Sequence, residues 1–492
     1  MRLPLAQATL LACLLAFHIS TAHAQDSHYE TNQYGSTSAL RAGAVTGGVR
    51  DTSATWYNPA GLGFIENPSI SVTASAYRLG ISNIGDIAGT GTKLQSTPIS
   101  TVPLIVSGLF MNDKAVPGHR FAFCLINRTI STIATSDRVR TNKDVLDRSV
   151  AETAGLEDYV GSFTLSTGVT EIWAGGAWGY HINDNVSIGA AFYVPMRQQS
   201  ATFSAYARAV NPNANGVVAT SDFTQSHDYL NLRLLGRLGL AFDLGPLKFG
   251  LAFTTPSASI FGKGGVLFQF TINDVDLDAD NTGDSLVLED EQRNLDAQFQ
   301  SNMGLAFGIE YTIDEMVTFA FDVEWNAAAG RFNIMNPVAR NLELGAGGGP
   351  AVLTTADFTP TYRYTSIVNV AFATTLRLDK GASVVLGFNT DFSYAPADSG
   401  TGTDLIFTDY DLFHFSGGLI LSEYGIEEKN LGLLVREVSI GVVLSFGSGQ
   451  AEQIVDFSSA NESNFLMGLD TSKLIDVSYF SFSLILGYTQ HF

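Results

Sequence analysis

The chain has 492 residues, with 48 Asp and Glu against 27 Lys and Arg and a formal charge of −21, a balance that speaks against a nucleic-acid partner. Hydrophobic residues make up 45% and the mean hydropathy is +0.14. Yet no apolar run after residue 24 is long enough for a membrane-spanning helix, so the apolar content points to strands with one oily and one polar face.

Residues 1–24 read as a secretory signal. Arg2 precedes an apolar run through Leu10, Leu11, Leu14, Leu15 and Phe17, and Ala22-His23-Ala24 supplies an A-x-A cleavage site before Gln25. A lipoprotein reading at Cys13 is weaker, because the apolar stretch before it is short and Leu11 is an unusual neighbour for a lipidated cysteine. Cys13 leaves with the signal, so Cys124 is the one mature cysteine and no internal disulfide is expected.

Residues 25–68 lack strand alternation. Thr37–Val45 is small and weakly helical, and Gly47, Gly48 and Gly61 interrupt the chain after it. Trp56, Tyr57 and Leu62 favour packing inside a larger body.

From residue 69 to residue 492 a two-residue period recurs. Val186, Ile188, Ala190, Phe192 and Val194 oppose Ser187, Gly189, Ala191 and Tyr193. Leu247, Phe249, Leu251 and Phe253 oppose Lys248, Gly250, Ala252 and Thr254. The last segment sets Phe480, Phe482, Leu484, Leu486, Tyr488 and Phe492 against Ser481, Ser483, Gly487, Thr489 and His491, with Ile485 and Gln490 breaking the pattern. Short turns near 112–118, 181–185, 243–246, 313–316, 379–381 and 425–430 alternate with long polar stretches. These stretches, at 81–100, 132–165, 205–226, 271–296, 334–360, 395–410 and 448–474, read as outer loops. The count of strands is about fourteen, an even number as a closed bacterial barrel requires. The expected fold is all-β: a transmembrane antiparallel barrel over 69–492, with residues 25–68 as a hatch in its lumen.

The stretch Trp56-Tyr57-Asn58-Pro59-Ala60-Gly61-Leu62, placed after a signal and before the first strand, resembles the Asn-Pro-Ala signature of the FadL/TodX transporters of long-chain fatty acids and hydrocarbons. The resemblance runs through the whole mature chain to the terminal aromatic, Phe492. It implies that Asn58, Pro59 and Ala60 lie in the hatch, and that hydrophobic substrates bind from outside and move on when the hatch shifts. It also implies a sideways exit at a kink in the third strand. The matching strand, about 119–130, has no Gly or Pro between Phe121 and Ile130, whereas Pro98 and Pro103 flank or interrupt the strand before it.

Charges on barrel strands must face the lumen, since an Arg facing lipid costs up to ~2–4 kcal/mol near the midplane. Alternation then points Arg128, Arg197, Arg233, Arg237 and Arg363 inward, along with Glu310, Asp322, Glu324 and Asp391. Arg233 and Arg237 are candidates for binding a ligand carboxylate, which a guanidinium fork fits. The structural alternative is that they pair with those four acids and hold the hatch. Asp278, Asp280, Thr282, Gly283 and Glu289 match a calcium loop in spacing but lack flanking helices, so a solvated acidic loop is the better reading. Trp173, Trp178, Tyr180 and Trp325 suit an interfacial girdle. His414 and Ser416 share a strand face, but nothing in the sequence sets a third catalytic group beside them. With no phosphate-loop, zinc-protease or paired C-x-x-C string, no enzyme activity, cofactor or metal is expected.

The function expected is uptake of hydrophobic small molecules, foremost long-chain fatty acids, by a monomer in the Gram-negative outer membrane. The partners are then the ligand and outer-membrane lipid. Two other readings remain: a non-transporting scaffold or secretion-accessory barrel acting through its long loops, and a general diffusion porin.

Overall fold

The computed structural model describes residues 28–97, 99–111, 115–146, 155–212, 217–276, 281–338, 341–342, 353–354, 359–378, 381–395, 408–426, 432–453, 455–462, 466–468 and 473–492. Residues 1–27, which include the expected signal, and Pro98 lie outside them. A closed antiparallel barrel of 14 strands accounts for most of the chain.

Its strands run in order. The first six are β1 (Ser69–Ile84), β2 (Ile99–Met111), β3 (His119–Lys143), β4 (Glu157–Asn183), β5 (Val186–Val210) and β6 (Val218–Asp243). Strand β7 comes in two pieces, Leu247–Thr254 and Ala258–Val275, and so does β8, Asp284–Asp296 and Gly304–Ile313. The circuit continues through β9 (Val317–Asn326), β10 (Ile367–Arg377), β11 (Ala382–Asp391), β12 (Thr408–Ile426), β13 (Gly432–Glu452) and β14 (Leu474–His491). It closes where Ser69 of β1 pairs with His491 of β14, so no edge strand is left at the closure.

Tight turns join β4 to β5, β6 to β7 and β8 to β9 at one end of the barrel, and at this end the alternation reads as expected. Phe192, Leu238, Leu251, Phe307, Leu386 and Phe482 point outward and are exposed, while Ser187, Ala241, Ala252 and Ser481 are buried. Both exceptions in β14 have partners. Ile485 packs inside against the N-terminal segment, and outward Gln490 accepts a hydrogen bond from Tyr488 Oη at 2.8 Å.

The other end departs from expectation. Much of 132–165, 205–226 and 271–296, read as loops, is strand: β3 to β6 run 25, 27, 25 and 26 residues. A bilayer needs only about 9–11. Here the polarity reverses. Thr202 pairs with Ser226 (2.9 Å) and Ser204 with Thr224 (3.0 Å) on the outer surface. Inside, Phe163, Leu165, Ala205, Ala207, Phe268, Ile272 and Leu288 form a packed apolar core. Residues 455–462 and 466–467 close this end: Phe457 packs by Tyr159, and Tyr159 Oη donates to the Leu466 carbonyl at 2.6 Å. Glu289 belongs to a strand, opposite Gln269, so the calcium-loop conformation does not form; Asp278 and Asp280 lie outside the described residues.

Two irregularities of the wall lie beside the lumen segment and its arginines. The β2–β3 ladder ends at Ile105 opposite Ile126, although β2 continues to Ile99 along β1 and β3 to Lys143 along β4. Register slips fall at Arg128, between Asn127 and Thr129, and beside Pro103. The second irregularity is the break in β7 and β8, where Thr255-Pro256-Ser257 faces residues 297–303 and Phe299 is buried. Pro256 has no N–H to give the ladder.

Candidate functional site

Residues 28–64 are almost wholly buried and fold into helix α1 (Ser36–Leu40), helix α2 (Ala54–Tyr57) and a 3₁₀ turn, Pro59–Phe64. Such short helices cannot stand alone in water; the inward side chains of the barrel supply their partners. Asp322 accepts from the N–H groups of Val45 (3.0 Å) and Thr46 (2.7 Å). Asp391 accepts from the N–H groups of Tyr29 (3.0 Å) and Glu30 (2.9 Å) and from the Thr31 hydroxyl. Glu437 accepts from the hydroxyls of Ser36 and Thr37. Glu310 is shared by Arg41 and Lys248.

Asn58, fully buried, sits in extended backbone. Its Oδ1 accepts from the Ala60 N–H and so caps the turn that Pro59 opens. Its Nδ2 donates to the carbonyls of Thr46 (3.0 Å) and of Leu240 on β6 (3.1 Å). Ser187 donates to the Ala60 carbonyl at 2.7 Å. The motif reaches the wall because the wall has no side chains there. Gly179, Gly189, Gly239 and Gly250 lie on four consecutive strands, and a Cβ on any of them would strike backbone or side-chain atoms of the segment, among them Pro59, Asn58 and Thr46. Gly308 on β8 meets Thr46 and Gly47 in the same way.

Beside the motif lies a cationic, aromatic zone. Arg233 is 0% exposed and Arg237 3%. Neither pairs with Glu310, Asp322 or Asp391, which are engaged as above. The partner of Arg233 is Glu171, whose carboxylate receives Arg233 at 2.7 Å and Arg197 at 3.0 Å, and no carboxylate pairs with Arg237 among the described residues. Arg197 is saturated further by Tyr229 Oη and Gln199 Oε1. Arg233 keeps Nε and Nη1 without hydrogen-bond partners, and Arg237 keeps Nε so, among the described residues. Phe299 from the β8 break lies under Arg197 (4.1 Å to its centroid) and Arg233 (4.8 Å). Arg128 (4.9 Å to the centroid) and Arg237 (5.1 Å) both lie over the Trp56 ring. The indole is ringed by Tyr34, Trp173 and Tyr193 at 5.5, 5.2 and 6.2 Å in edge-on contacts.

Several sequence expectations change. Trp173 is buried inside, with Nε1 donating to Glu171 at 2.6 Å, because it shares a face with Glu171 and Ala177. Trp325 stays outward, exposed and bonded to Ser366. Arg363 sits on a short strand, Thr361–Tyr364, that pairs with Ala329–Asn333 rather than with the barrel. Ser416 donates to the Leu40 carbonyl (2.7 Å), and His414 bonds Ser445 through Nδ1 (2.7 Å). Asp391 lies 3.6 Å from His414 Nε2 with both its oxygens already taken by the N-terminal segment, so the group works as a clamp on that segment. Cys124 is buried on β3 in the apolar cluster that includes Trp56 and Tyr57.

No protein-family model matches the sequence, and no curated protein does. Solved structures do. The chain superposes on a Pseudomonas aeruginosa FadL homologue with a TM-score of 0.55 at 13% identity, covering 94% of this chain and 99% of that one. The fold is that of the FadL-type transporters. The Pseudomonas putida toluene transporter TodX gives a TM-score of 0.52 at 12% identity, with 94% and 99% covered.

Proposed function

We propose that this chain takes up hydrophobic small molecules with an acid head across the outer membrane, residues 25–68 acting as a hatch that moves about Asn58–Gly61. The observation that carries the reading is a segment filling the lumen on a track of wall glycines, beside the buried Arg233 and Arg237. The outward band of Leu and Phe supports a bilayer position, and the FadL-type fold agrees with it. Long-chain fatty acids are the class the sequence puts first. A buried alkyl tail gains about 0.8 kcal/mol per methylene, so few polar contacts are needed. In this reading the sideways exit is the β2–β3 seam beyond Ile105 and Ile126, where the ladder between the two strands ends. The filled lumen weighs against a diffusion porin, which needs an open channel.

The test is uptake of labelled fatty acid by cells expressing wild-type protein, a variant lacking 25–68, or Asn58→Ala. Altered uptake with normal barrel assembly is expected; uptake unaffected by both changes would overturn the mechanism. Large, steady conductance of the intact protein in planar bilayers would favour the porin instead.

A further inference from the structure

We propose that the cargo is an aromatic carboxylate, and that its ring takes the place of Trp56 against Arg128 while its carboxylate meets Arg237. This rests on the uptake reading above and narrows its ligand class. Three observations carry it.

The first is charge. Glu171 serves both Arg197 and Arg233, and among the described residues no carboxylate pairs with Arg237. A guanidinium 3% exposed, with Nε unbonded, stays in an interior only where something compensates it. An arriving anion does so, and the guanidinium fork suits a carboxylate.

The second is shape. The Arg128 and Arg237 guanidinium carbons both lie over the Trp56 ring, and three aromatic rings meet it at steep angles of 68–75°. Cations sit over ring faces, and rings pack edge to face. The surroundings of Trp56 are thus already built for a flat π-system. An alkyl tail gains apolar area there but neither of these directional contacts.

The third is position. Trp56 lies two residues before Asn58, whose hydrogen bonds tie the motif to β6. A ring that displaces Trp56 therefore pulls on the same segment that closes the lumen, and this couples ligand arrival to hatch movement without a second site.

The test is calorimetric titration of the purified full-length protein in mild detergent with 2-naphthoate, naphthalene and decanoate. Naphthoate should bind at least tenfold tighter than either of the others. Arg237→Gln should weaken naphthoate far more than naphthalene and bring the two to within a few-fold of each other. Trp56→Ala, which removes the resident ring, should tighten naphthoate; heat-modifiable mobility on gels confirms that each variant is folded. Decanoate or naphthalene binding as tightly as naphthoate, a preference that survives Arg237→Gln, or no binding of any probe would overturn the assignment. The uptake reading fails separately, if expressing cells accumulate none of the three labelled compounds.

Discussion

Asn58 caps one turn, bonds a second loop and bonds the wall, all from one buried amide. Asn58→Ala leaves two buried carbonyls with one partner fewer, and we expect it to weaken docking of the segment by ~1–3 kcal/mol. Faster proteolysis within residues 28–64 of the assembled barrel would report it. Glu30 makes docking depend on pH. Burial inside the barrel comes first, then the charges of Glu324 and Asp391, which outweigh Arg128 and the Gln33 hydrogen bond and raise its carboxyl from 4.5 to about 8. In the released segment it would ionise near the ordinary value. Below that value both forms are protonated and nothing is lost. As the pH climbs towards 8 the released form ionises first, and docking weakens. Proteolysis of the segment should therefore quicken from pH 5 to pH 8, and Glu30→Gln should flatten the profile; an unchanged profile would dismiss Glu30. The inward direction of Arg233 and Arg237 was legible from alternation alone, but the acid that meets Arg233 was not. Glu171 lies directly opposite Arg197, and counting back from the turn at 184–185 would have placed it there. The Arg233 contact runs between strands two apart, and only the closed, folded wall shows it.

At the scale of elements, the glycine track explains how a loop-like segment docks without a groove cut for it. Small inward positions on neighbouring strands line up only after register is set, as Gly179 opposite Gly189 and Gly189 opposite Gly239 do. In the sequence they are scattered among 48 glycines and look like turn formers. Gly239→Val should leave a heat-modifiable barrel whose segment no longer docks, and single-channel conductance should rise several-fold over wild type. Unchanged conductance would mean that the segment tolerates the added bulk. The lower strand halves were readable because Leu and Phe alternate with small polar residues. The upper halves keep the same period with the opposite sign, Ser and Thr outside and Ala and Phe inside, as along 200–209. Alternation matched to lipid makes that sign look like a loop.

Over the whole molecule, one sheet serves two solvents. Its tight-turn end is oily outside and polar inside, and its far end is polar outside with a packed apolar interior. Position along the strand should then decide the cost of a charge. Leu238→Arg, outward in the apolar band, should cost ~2–4 kcal/mol in vesicle refolding titrations. Thr202→Arg, outward at the far end, should cost within about 0.5 kcal/mol of nothing. Equal penalties would refute the two-solvent description.

Cys124, the one cysteine outside residues 1–24, lies under the segment that fills the barrel. Its thiol is buried there. If the segment moves as proposed, the rate at which a small maleimide labels the unmodified protein would be a clock for each excursion of the stopper, with no cysteine to be engineered in.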